Sequence, residues 1–346
     1  MTLSAIWQQL PRPLRIVIAR LPMVIPQMLG VIFVTFMLVR LLPGDPALLM
    51  LGNTATEESI ANLREQLGLT GSLWQQFTHY LGGVVQGDLG ISLFTSNPVS
   101  VDLLERAPAT LEMMFYAMAL TLILGVSVAV IAVVRPGGIA DHFSRLYGMA
   151  AGAIPDFWVG LLLIFGFFSV LGWAAAPFGR IDPMLDAPAA VTGFYTFDAL
   201  IAGNLEAFFS AAGRLVLPVL TLTIVNAGAL MKMSKTAFAE IWRAEFIRHQ
   251  RASGLSERVI IRNALRNSLP PIITLVGFMM GFLLGAAVLV ETIFSWGGLG
   301  QYAVQAVTYS DYPALQGFVL VAAAFILVVY LVVDILYELV DPRIKI

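Results

Sequence analysis

The sequence predicts an all-α membrane protein with six transmembrane helices, and three observations carry that expectation. Of its 346 residues, 58% are hydrophobic and 12% are charged, against roughly 25% charged in ordinary globular chains, too few to cover a soluble protein of this size. Six stretches approach or exceed the roughly 20 apolar residues needed to cross a bilayer core about 30 Å thick. The basic residues gather in alternate connections, a pattern that demands an even number of crossings. The net charge of −2 gives no global basic excess, so no nucleic-acid partner is expected. With no cysteine, disulfides, thiolate zinc sites and iron–sulfur clusters are excluded.

The six expected spans are Leu21–Leu42, Leu111–Val134, Tyr147–Trp173, Leu215–Met231, Ile272–Phe294 and Ala314–Val340. The first has the length of a retained span and lacks the short apolar core and small-residue cleavage site of a signal peptide. The fourth is short and carries Thr221, Thr223 and Asn226. Phe197–Ala212 is also apolar, but Asn204 and Glu206 favour an interfacial helix over a seventh span. Arg12, Arg15 and Arg20 precede the first span, and Arg135 and Arg145 follow the second. Basic residues also crowd the connection from the fourth span to the fifth, and Arg343 and Lys345 close the chain. Both termini and the 232–271 loop are therefore expected to be cytoplasmic. No repeat or low-complexity tract divides the chain, so 1–346 reads as a single transmembrane domain.

The connection from Pro43 to Pro108, the 43–108 extracytoplasmic region, is long enough to need structure of its own. Thr54 and Glu57 suggest a capping box, Ile60, Leu63 and Leu67 share one helical face, and Gly68 supplies a stop. Trp74, Phe77 and Tyr80 suggest a second amphipathic piece. Such a loop can rest on the membrane as a lid or dock an extracytoplasmic partner.

The 232–271 loop is expected to begin as a helix running out of the fourth span, with Phe238, Trp242 and Phe246 four apart. Gly254 should break it, and Ser256 should cap a second helix ending where Pro270 and Pro271 open the fifth span. Arg258, Arg262 and Arg266 form a basic stripe there, with Val259 and Ile260 on another face. Positive-inside bias accounts for most of the arginines. It does not account for a helix–glycine–helix hairpin with an apolar face, a shape suited to a groove on a soluble partner.

Asp156 is the ionisable residue expected inside a span, about 15 Å along a continuous helix from Arg145 at 1.5 Å per residue. It should face a pathway, bond to neighbouring backbone, or pair with another membrane subunit, because lipid exposure of such a charge costs about 2.5–3.5 kcal/mol. Glu112 and Glu291 lie near span ends and read as boundary charges, and Lys232 can snorkel to the interface.

Taken in order, LLPGDPALLMLG at 42–52, LREQLGLTGSLWQQF at 63–77, GDLGISL at 87–93, RAPATLE at 106–112 and IPDFWVGLLLI at 154–164 resemble one family. EFIRHQRASGLSERVIIRNALRNSLPP at 245–271, VETIFSWGGLGQYAVQAVTYSDYPALQG at 290–317 and DILYELVDPR at 334–343 extend the match over nearly the whole chain. The family is the permease subunit of type I ATP-binding-cassette importers, in its dipeptide, oligopeptide and nickel group. His249, Gln250, Ser253, Gly297 and Asp156 depart from the family's usual residues.

The resemblance implies a type I permease fold and an inner-membrane location in a bacterium. It also implies two cytoplasmic ATPase subunits that bind ATP and magnesium, a second homologous permease and an extracytoplasmic solute-binding protein. The 245–271 segment would be the EAA-type coupling loop, with Glu245, Arg248, Arg251, Ala252, Gly254, Leu255 and Arg258 as the ATPase-contacting residues. The chain itself has no G-x-x-x-x-G-K-[ST] phosphate loop, so no ATPase activity or cofactor of its own is expected. Relatives carry peptides, nickel chelates, glutathione or opines, with peptides the first expectation. An ion-coupled secondary transporter should show several midplane ionisable groups and matched broken helices. An intramembrane protease or transferase needs a histidine or a second central carboxylate within the spans. Neither pattern is apparent in the sequence.

Overall fold

The computed structural model describes residues 12–41, 48, 56–66 and 70–340. Its helices are α1 (Arg12–Leu41), α2 (Glu57–Gln66), α3 (Leu73–Gln86), α4 (Val99–Val134), α5 (Ile139–Ala150) and α6 (Asp156–Leu163). They continue with α7 (Tyr195–Ile201), α8 (Leu205–Trp242), α9 (Glu245–Ala252), α10 (Glu257–Phe294), α11 (Leu299–Thr308) and α12 (Tyr312–Val340). Among the described residues α1, α4, α8, α10 and α12 are long and apolar enough to cross a membrane. Ile139–Ala153 and Asp156–Val170 form a bent pair whose axis turns by 104°, and they make a sixth crossing if the two are taken as one broken span. The third span is therefore not the continuous helix expected. Ile154 precedes Pro155, and the proline ring disfavours helical backbone at the residue before it; both residues are extended, at φ −109° ψ 127° and φ −65° ψ 141°.

The long helices overrun their apolar stretches. α4 starts at Val99, so Pro108 lies inside it, and α8 and α10 each run 38 residues. Pro270 and Pro271 sit within α10 instead of opening a new helix. Packing of Ile260 and Ala264 on one side of the prolines and Ile272 on the other into buried clusters holds the helix through them. The segment 197–212 is not one interfacial helix. Gly203, at φ +68°, ends α7, and the Asn204 side chain caps α8 by accepting from Ala207 N–H at 3.0 Å.

The central core is the contact of α4, α8 and α10, where Met113, Met114, Leu222, Leu230 and Leu283 are fully buried. A Cβ at Gly125 would meet the Leu230 side chain at 3.1 Å, which shows how closely α4 and α8 approach. α1 and α12 run side by side, joined by an Arg20–Asp334 ion pair at 2.6 Å. Between α1 and α4, the Thr56 hydroxyl accepts from Ser59 N–H at 3.2 Å at the start of α2. Thr54, Leu67 and Gly68 lie outside the described residues. Ser72 and Gln75 form the capping box of α3, whose Phe77 packs against Phe36 of α1.

Candidate functional site

One end of the helix bundle carries the hairpin. α8 stops at Trp242, and α9 begins after an extended Ala244, so Phe246 belongs to a separate helix rather than to a continuation of α8. The end of α9 is a Schellman turn: Gly254 N–H donates to Arg251 O at 3.0 Å and Leu255 N–H to Gln250 O at 3.2 Å. That turn requires the left-handed φ of +77° found at Gly254. Ser256 sits at the N-cap of α10 but forms no side-chain cap.

The apolar face of the hairpin is divided. Ile247 and Ile260 are completely buried with Phe238 and Ala264, against Val130, Val133 and Val134 of α4. Ile260 therefore anchors the hairpin to its own chain, while Phe246, Leu255 and Val259 stay exposed. Glu245, Arg248, Arg251, Ala252, Gly254, Leu255 and Arg258 are all exposed, grouped on and around this one turn. Arg251 also braces the turn, stacking over Trp242 at 4.4 Å from the ring centre and pairing with Glu257 at 3.0 Å. The turn presents basic and apolar groups to whatever approaches it, with nothing within 4 Å of a Cβ placed on Gly254.

Asp156 lies just past the bend, in the first turn of α6, so its distance from Arg145 does not follow a single helix axis. It is half-buried, and its Oδ1 is covered without a hydrogen-bond partner among the described residues. Gly160, one turn further, packs α6 against Thr221 of α8 and Phe294 of α10, with a Cβ there 3.4 Å from each.

At the opposite end, two residues expected to be boundary charges are buried. Glu291 is 0% exposed and Glu112 is 1% exposed. Glu291 accepts from the Thr110 hydroxyl at 2.5 Å and from Gln301 N–H at 3.0 Å. Its carboxylate fills the space over Gly298, where a Cβ would stand 2.6 Å from both oxygens. This gives a physical reason for the glycines of SWGGLG at 295–300. Gly297, at φ +78°, holds a backbone closed to proline.

Glu112 accepts from Arg180 at 2.6 Å and from Thr196 N–H and Oγ1 at 2.9 and 2.6 Å. Arg180 stacks over Tyr195 at 3.7 Å and donates to Gly193 O at 2.7 Å, tying the 171–194 connection to α4 and α7. Asp198 gathers the N–H groups of Val191, Thr192 and Gly193. Burial alone would raise the Asp198 carboxyl, yet these bonds and the Thr192 hydroxyl hold it below its ordinary value. Asp311 accepts from Ser92 at 2.6 Å and Phe94 N–H at 3.1 Å, which fixes the GDLGISL segment against α12.

A bent third crossing, a projecting hairpin and a capped opposite end define a multi-pass helical membrane protein built around α4, α8 and α10. The chain belongs to the family described as the binding-protein-dependent transport system inner membrane component, which matches residues 109–346. The N-terminal part of that membrane component matches residues 13–114. The chain is 37% identical over 327 residues to the dipeptide transport system permease protein DppB of Alkalihalophilus pseudofirmus, covering 94% of this chain and 98% of that one. It is 39% identical over 337 residues to DppB of Escherichia coli K12, covering 96% and 99%. Identity to the glutathione transport system permease protein GsiC of Escherichia coli O6:H1 is 33% over 333 residues, covering 96% and 99%. Among solved structures, the inward-facing MetNI methionine ABC transporter overlays 69% of this chain and 96% of that chain at a TM-score of 0.49 and 19% identity.

Proposed function

We propose that this chain is the permease subunit of a bacterial ATP-driven importer of di- or oligopeptides, forming half of the translocation pathway. The observation that carries this reading is full-length similarity to dipeptide permeases in both Alkalihalophilus pseudofirmus and Escherichia coli. In this reading the protein lies in the inner membrane, with both termini and the hairpin cytoplasmic. Two ATPase subunits, which alone bind ATP and magnesium, engage the hairpin through Glu245, Arg248, Arg251, Ala252, Gly254, Leu255 and Arg258. ATP-driven closure of the ATPases moves α9, and the Ile247–Ile260 anchor transmits that movement to α8 and α10. A solute-binding protein delivers peptide at the opposite end, and a second permease completes the pathway. Asp156, at the bend, supplies a negative charge along it.

Affinity purification of the full chain in mild detergent tests this reading. Recovery of two ATPases and a second six-span permease is the expected result. A self-sufficient protein that moves solute in ATP-free liposomes would overturn it in favour of an ion-coupled transporter.

A further inference from the structure

A cavity of about 700 Å³ opens between α5 and the hairpin end of α8. Its wall runs along α8 through Lys232, Lys235, Thr236, Ala239 and Glu240 to Arg243 at its C-cap, positions that recur on one helical face. Arg145 and Ser144 face them from α5. The α5 and α8 backbones converge at one end of the cavity, where a Cβ on Gly228 would meet Ala151 at 2.6 Å and the Gly148 backbone at 3.6 Å. Below that contact Asp141 holds Lys235 at 2.6 Å and Arg145 at 3.2 Å, and Ser144 accepts from Lys235 at 3.0 Å.

These bonds leave the cavity with an excess of positive charge. Among the described residues, four cations line it against Glu240 alone, and Asp141 already serves two of the four. Among the described residues, the side chains of Lys232 and Arg243 have no hydrogen-bond or ion-pair partner. Lys232 is also the first charge after the apolar run that ends at Met231, which sets it at the depth of lipid headgroups.

The outer side of α5 is apolar and uncovered. Ile139 is 92% exposed and Leu146 69% exposed, with the exposed Phe143 between them. Because the chain bends by 104° after α5, this helix runs across the direction of the α6 segment. It therefore combines an apolar side with a basic cavity on its other flank, the pairing that an interfacial helix uses to hold a lipid.

We infer that this cavity is a binding site for the headgroup of an anionic phospholipid, with Arg145 and Lys232 holding the phosphate and the exposed side of α5 carrying the acyl chains. A basic pocket between helices at a membrane surface is the arrangement that selects such headgroups. The neighbouring apolar stripe favours a lipid over a free anion. The inference requires only that α8 leaves the hydrocarbon after Met231, so it stands apart from the importer reading.

The test uses the full chain purified in mild detergent and titrated with phosphatidylglycerol or phosphatidylcholine, with bound lipid counted by native mass spectrometry. Saturable, preferential binding of phosphatidylglycerol is expected. Arg145→Gln with Lys232→Gln should weaken it by about thirtyfold, while Arg145→Lys with Lys232→Arg should retain it. Arg262→Gln with Arg266→Gln removes the same charge from the exposed hairpin stripe and should leave binding unchanged. Equal binding of phosphatidylcholine, an equal loss in the hairpin pair, or full binding by the Arg145/Lys232 glutamine pair would overturn the site. Displacement of the lipid by millimolar inorganic phosphate would show an anion pocket without lipid selection, and would overturn it as well.

Discussion

The two ends of this helix bundle handle charge in opposite ways. All five buried carboxylates among the described residues, Asp102, Glu112, Asp198, Glu291 and Asp311, lie at the end opposite the hairpin. Each is met by donors from the chain itself, several of them far away in sequence. On the hairpin turn itself the charges point outward, and a few apolar side chains, Ile247 and Ile260 above all, fasten the turn to α4 and α8. A buried charge network fixes one geometry, because removing any partner leaves another group desolvated. An exposed turn held by a small apolar anchor keeps its contacts available for another molecule. The first end reads as a frame that joins α4, α7, α10 and α11, and the second as a handle.

The sharpest way to break that contrast is Glu112→Ala. It strands the Arg180 guanidinium, whose side chain is only 10% exposed, and removes the acceptor for both Thr196 donors. Loss of one partner from a buried pair costs about 3–5 kcal/mol. Thermal unfolding of the detergent-solubilised chain should show a large drop for this variant. Arg262→Gln on the exposed hairpin stripe should stay within about 0.5 kcal/mol of wild type. Comparable losses at the two sites would erase the distinction between frame and handle.

Gly254→Val probes the handle. A Cβ there meets open space, so the added branch point introduces no collision. Its cost is the left-handed backbone at φ +77°, roughly 1–2 kcal/mol for a non-glycine residue. The bundle should stay folded while the Schellman turn distorts. In the reconstituted importer, ATP hydrolysis should continue while peptide uptake falls sharply. Uptake that remains coupled to hydrolysis as in wild type would remove Gly254 from the coupling contact.

The same contrast explains what could be read from the sequence. The handle was legible because its signals are local: a run of arginines, a glycine at a helix end and a serine before the next helix. The frame was hidden because its partners are remote. Thr110 and Glu291 are 181 positions apart, and Glu112 and Thr196 are 84 apart, so each glutamate looked like an ordinary charge at a span end. A signal did exist in the glycines at 298 and 300, which leave no room for side chains beside the Glu291 carboxylate. The bend in the third crossing was equally visible in Pro155. An uninterrupted count of apolar residues passed over it, because hydropathy measures transfer into lipid and not backbone geometry.

Asp156 sharpens the comparison because it belongs to neither end. Unlike the frame carboxylates it is half-buried, with one covered oxygen that lacks a partner among the described residues. Unlike the handle residues it lies within a crossing, beside the bend. Asp156→Asn keeps its shape and removes its charge, so the bundle should unfold at nearly the same temperature as wild type. If the carboxylate faces the pathway, the uptake ratio of cationic to neutral peptides should fall by up to about fivefold, the range of a partly solvated charge pair. An unchanged ratio with lower stability would instead assign Asp156 to packing against neighbouring backbone or the second permease, placing it with the frame.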